Sequence, residues 1–116
     1  MKITPYNQSK SYTNAVSLSE SREYQMGDKD IDCALVQIKG KYPGGNKFAT
    51  NTKSKELLFV IEGEGAIEIK NREARKFGKH DVILIEAGEV YRFDARASFC
   101  VVCTPPWSPE QHLNID

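Results

Sequence analysis

Glu56 stands directly ahead of the apolar run Leu57–Ile61, in the stretch Lys55-Glu-Leu-Leu-Phe-Val-Ile-Glu-Gly-Glu-Gly65. If the strand carries this carboxyl into an apolar interior, desolvation raises its pKa, which suits a general acid or base near neutrality. If it pairs instead with a lysine such as Lys47 or Lys55, it is an ordinary structural group. The sequence leaves both readings open. A second unit of the same form follows, Asp81-Val-Ile-Leu-Ile-Glu-Ala-Gly-Glu-Val-Tyr-Arg-Phe93, again an apolar run ended by a glycine, and it carries Tyr91.

Other candidate groups promise less. Cys100-Val-Val-Cys103 has C-x-x-C spacing, but on a strand residues three apart face opposite sides of the sheet. A redox pair also wants a helix N-terminus to acidify a thiol, so small buried apolar cysteines are the expectation. The two histidines, His80 and His112, are too few for an imidazole-rich metal centre. Lys70, Arg72, Arg75, Lys76 and Lys79 read as a solvated hairpin tip, with no aromatic residue beside them to stack on a base. Trp107, bracketed by Pro105, Pro106 and Pro109, is expected to pack across a barrel mouth or a dimer interface.

The elements that must position these groups are strands. Residues 1–30 are polar and weakly patterned, an N-terminal arm with one or two short strands that contribute to a dimer; residues 31–116 form the main domain. Cys33–Ile38 is rich in strand formers and ends in the turn chemistry of Lys41-Tyr-Pro-Gly-Gly45. Asn46–Lys55 reads as a loop or exposed edge. Leu57–Ile61 is a strand, Glu62–Gly65 a turn, and Ala66–Lys70 a half-buried strand by its alternation. Asn71-Arg72 turns the chain back through Ala74 to Phe77. Strands follow at Val82–Ile85, Val90–Phe93 and Phe99–Cys103, where Pro105 and Pro106 stop the ladder. Short strands separated by turns, with no helical period, predict an all-β chain, a small antiparallel barrel or sandwich.

The two strand-plus-glycine units resemble the paired motifs of the cupin family. There the first motif places a His-x-His pair before a Glu and a Gly beyond it; Glu56 and Gly63 keep that spacing, and Gly65 continues the turn. The histidine positions fall on Thr50 and Thr52, or on Ala49 and Asn51. In the second motif Asp81 and Gly88 match, His80 takes a glycine's place, Glu86 stands where proline is common, and Tyr91 occupies the histidine position. The resemblance covers residues 34–106, and the proline-rich tail through His112 is similar to the closing segment of many small cupins. It implies a jelly-roll β-barrel of about six to eight strands, paired as a homodimer, with the metal ligands replaced. No metal and no other cofactor is therefore expected.

At 116 residues, 40% apolar and 28% charged, the chain is sized and composed as one globular domain. Sixteen basic residues balance sixteen acidic ones, so no net field draws in nucleic acid or a membrane surface. The start, Met-Lys-Ile-Thr-Pro, lacks an apolar signal core, and an odd count of cysteines fits free thiols; a cytoplasmic location is expected. The partner expected is a small, carbohydrate-like molecule. The first functional reading is a metal-independent cupin binding it in a pocket of Glu56, Leu58, Tyr91 and the Thr50, Asn51, Thr52 segment. The second is a metal-independent isomerase, epimerase or lyase with Glu56 as base and Tyr91 as acid. A metallo-cupin such as a dioxygenase, with an unusual ligand set, is the third.

Overall fold

The computed structural model describes residues 1–116. Nine strands run β1 (Lys10–Thr13), β2 (Glu20–Tyr24), β3 (Asp32–Tyr42), β4 (Phe48–Asn51), β5 (Lys55–Ile69), β6 (Arg75–Gly78), β7 (Val82–Ile85), β8 (Tyr91–Thr104) and β9 (His112–Ile115). All pairings are antiparallel. One path through the sheet is β1-β2-β3-β8-β4-β9, and β5 lies on the other edge of β8, carrying β6 and β7. The first thirty residues thus add β1 and β2 to β3 of their own chain. No helix is long and apolar enough to cross a membrane.

β8 is the spine of the fold because its alternation is unbroken. Tyr91, Phe93, Ala95, Ala97, Phe99, Val101 and Cys103 all point inward and are buried. A strand with period two presents one apolar face to the core and one face outward. Phe77 of β6 joins Phe93 and Phe99 in an aromatic cluster with ring centroids 5.6–6.0 Å apart. Val60, Leu58 and Ile38 close the same core from β5 and β3.

Two expected breaks are continuous strand. Glu62–Gly65, read as a turn, is part of β5, which registers against β8 from Lys55 to Ile69 with one bulge between Val60 and Glu62. The glycines are there for close approach rather than reversal: a Cβ on Gly63 would overlap the Arg96 carbonyl, and one on Gly65 would overlap the Ala95 Cβ. Small Ala95 and Ala97 opposite them made the middle of β8 look like a gap between two strands. They are instead where the β8 backbone and alanines press against the β5 glycines.

Asn46–Lys55, read as a loop or edge, contains the fully buried strand β4. It is covered by β9, an element the sequence did not suggest, with Asn51 opposite His112. The bend after β4 is held by Gln111, whose side-chain carbonyl accepts the Lys53 and Ser54 N–H groups at 3.1 and 2.7 Å. Its amide nitrogen donates to the Ser54 hydroxyl at 2.8 Å. With the Thr52 N–H on the Gln111 backbone carbonyl at 3.1 Å, all three N–H groups of the bend are paired to this one buried residue.

Candidate active site at the mouth of the barrel

One row of the sheet sets the site. Asp32 of β3 lies opposite Cys103 of β8, and Cys103 lies opposite Glu56 of β5. All three occupy inward positions of their strands, so two acids flank one thiol across neighbouring strands. The curl of the sheet brings Tyr91, at the far end of β8, and Asn51, at the end of β4, over the same spot.

Hydrogen bonds then define the centre. The Asn51 amide nitrogen donates to Glu56 Oε1 at 2.9 Å, and the Cys103 thiol reaches Glu56 Oε2 at 3.5 Å. The Asn51 carbonyl oxygen accepts from the Trp107 indole N–H at 3.0 Å and from His112 Nδ1 at 2.8 Å. An indole can only donate and a carboxylate can only accept, so the amide has one consistent orientation. That assigns the proton to Nδ1 of His112 and leaves Nε2 to accept from the Tyr42 hydroxyl at 3.1 Å. A directed chain therefore runs from Tyr42 through His112 and Asn51 to Glu56.

The electrostatics follow from burial without a cation. Desolvation drives the Glu56 pKa up; hydrogen bonds from Cys103, Asn51 and Tyr91 offset part of the rise, and the nearby Asp32 charge adds to it. Neither lysine that sequence offered as a partner is used on Glu56: Lys47 pairs with Asp116 and Lys55 with Glu86. Burial, then the Glu56 charge, holds the Tyr91 hydroxyl well above the usual phenol range, so it stays protonated as a donor. The same two causes raise Tyr42. Burial lowers the His112 pKa and keeps the ring neutral.

These groups line a cavity of about 500 Å³ whose wall includes Glu56, Tyr91, Asn51, His112, Tyr42 and Trp107. Of the residues singled out from sequence, Glu56, Tyr91 and Asn51 meet there. Thr50 alternates to the other face of β4 and is buried with its hydroxyl unpartnered. Thr52 is exposed in the bend, and Leu58 packs into the core two residues below Glu56. Tyr42, Cys103 and His112 were not foreseen as site residues, and Trp107 was expected only to pack across a barrel mouth or a dimer interface. Parity on one strand could have found Cys103 from Tyr91, and Tyr42 from Ile38. Nothing local could have found His112, which arrives through the β4–β9 pairing.

No protein-family model matches the chain, and no curated protein matches it in sequence. Solved structures do match its shape. The Streptomyces nucleoside dehydratase Pac13 superposes with a TM-score of 0.84 at 14% identity, over 99% of this chain and 91% of that one. Ectoine synthase from P. lautus gives 0.72 at 18% identity, over 100% and 91%. The polyketide cyclase RemF from Streptomyces resistomycificus gives 0.70 at 16%, over 94% and 82%.

This is a cupin fold.

A metal of the kind many cupins bind does not fit the residues present. No three His, Cys, Asp or Glu side chains converge as a ligand group. Both nitrogens of His112 are already committed, one to Asn51 and one to Tyr42, whereas a ligating imidazole must offer a free lone pair. In place of a metal shell the barrel has a hydrogen-bonded carboxyl.

Proposed function

We propose that the protein is a small-molecule lyase or isomerase working by acid–base chemistry in the cupin barrel, on a small polar, carbohydrate-like substrate. The observation that carries the reading is Glu56 on the cavity wall, held by three uncharged donors and by no cation. Such a carboxyl is a stronger base than one in water. It would take a proton from carbon next to a carbonyl, and the electron pair would pass to that oxygen, where the Tyr91 O–H donates. Return of the proton to the opposite face of the same carbon gives an epimer; departure of a β-hydroxyl, protonated by the Glu56 carboxyl as it leaves, gives water and a dehydrated product. The shape shared with a nucleoside dehydratase favours the second outcome.

The test is incubation with a panel of nucleosides, sugars and their oxidised forms in D2O, read by mass spectrometry. Deuterium incorporation or loss of one water from a panel member is the expected result. Saturable binding with neither would make the protein a binding module and sink the enzymatic reading.

We further propose that a second copy covers the outer face of β3, β8, β5 and β7, giving a homodimer. Outward positions of an antiparallel sheet are ordinarily polar, yet in register Leu35, Cys100, Phe59 and Val82 make one transverse row and Cys33, Val102, Leu57 and Leu84 the next. Phe59, Val82 and Leu84 are 43–55% exposed. The flanking charges are spent in the pairs Lys55–Glu86 and Lys79–Glu62, each at 3.3 Å. An apolar, charge-balanced sheet face suits a copy of itself about a two-fold axis. Light scattering should give a dimer mass for the native chain and a monomer for Phe59→Glu; a native monomer at tens of micromolar would refute the interface. The free thiols suit a reducing compartment such as the cytoplasm.

A further inference from the structure

We infer that the cavity takes a positively charged small molecule, one bearing an amine or ammonium group beside its reacting carbon skeleton. This deepens the acid–base reading above and rests on it for the location of the chemistry. The chain holds sixteen Lys and Arg residues, yet none of them lines this cavity. Its wall instead carries Glu23, Asp32 and Glu56, none of which forms an ion pair. A fourth acid on the wall, Glu20, is already neutralised by Lys39 at 3.1 Å.

The three free carboxyls are arranged by the sheet rather than scattered. Asp32 and Glu56 share the row through Cys103, and Glu23 of β2 sits opposite Ala34, two residues along β3 from Asp32. Asp32 receives only the Trp107 backbone N–H, at 3.4 Å. Lys10, opposite Glu23 across β1–β2, lies outside the lining. His112 is neutral, so nothing within the wall balances the acids. Burial, then repulsion from Asp32, raises the pKa of Glu23, with Lys10 offsetting part of the rise, and burial raises that of Asp32.

A cation entering such a cavity relieves the repulsion, and an anion adds to it. The same wall includes Tyr12, Tyr91 and Trp107, aromatic residues of the kind whose ring faces attract an ammonium group. Phosphorylated and carboxylated metabolites are thereby disfavoured, and amino sugars, amino-nucleosides and small diamines favoured.

The test uses scaffolds matched in all but charge: 5′-amino-5′-deoxyuridine, uridine and uridine 5′-monophosphate; glucosamine, glucose and glucose 6-phosphate; and diaminobutane, butanediol and succinate. Binding is measured by calorimetry on the full chain. Within at least one scaffold the amine form should bind about tenfold tighter than the neutral form, and the anionic forms should not bind. The preference should shrink with added salt and vanish in a variant carrying Glu23→Gln and Asp32→Asn, which leaves Glu56 in place. Neutral or anionic forms binding as well as the amine, no amine form binding, or a preference indifferent to both salt and the two substitutions would overturn the inference. An amine preference without any deuterium incorporation would remove the acid–base reading alone. Incorporation into a neutral or anionic substrate would remove only the charge assignment.

Discussion

Glu56→Gln is expected to lower turnover about a thousandfold while raising the melting temperature at neutral pH. The amide keeps the size and shape of the carboxyl and can still accept from Asn51, so the site should stay assembled. What it loses is the ability to take a proton. The stability gain comes from the raised pKa. A carboxyl that binds its proton more tightly folded than unfolded contributes stability when protonated. That contribution is full below the unfolded value and is lost as pH rises through the elevated folded value. Above the unfolded value the native chain must either bury that charge or take up a proton on folding, a cost that glutamine does not carry. The gap in melting temperature between variant and native chain should widen as pH is raised across that window and then level off. Equal turnover in the variant would remove Glu56 from the chemistry, and a variant less stable at neutral pH would mean that the carboxylate is well compensated.

Asn51→Leu is expected to cost about 3 kcal/mol of stability, a fall of about 10–15 °C in melting temperature for a domain of this size. The one amide serves three partners. Its loss takes away the partner shared by the Trp107 indole N–H, the His112 Nδ1–H and Glu56 Oε1. Leaving a buried polar group unpaired costs more than a hydrogen bond gains. Thr50→Val is the matched control one position away. The Thr50 hydroxyl is buried and unpartnered, so its removal should leave stability unchanged or raise it by about 1 kcal/mol. If both variants melt alike, Asn51 does not organise the site. Calorimetric melts of the two variants beside the native chain decide it.

How far the sequence reached can be judged strand by strand. The hairpin at Asn71-Arg72, the turn before Asp81 and the strand Val82–Ile85 were legible because each rests on neighbours in the chain: a turn former, a glycine, a run of β-branched residues. β4 was not, because Thr50 and Asn51 look solvated until Gln111 and β9 supply their partners. β5 and β8 were each read as two strands, because glycine and alanine weaken the local signal at the places where the two strands press together.

The site divides along the same line. Alternation and turn chemistry, encoded over a few residues, reached an antiparallel barrel or sandwich, and the resemblance to the two cupin motifs narrowed that to a jelly-roll barrel and singled out Glu56 and Tyr91. Only the tertiary structure decided that Glu56 has no cation, that Asp32 and Cys103 stand in its row, and that His112 reaches it through Asn51. Those relations depend on register and on the curl of the sheet, and both are set by packing between residues distant in the chain.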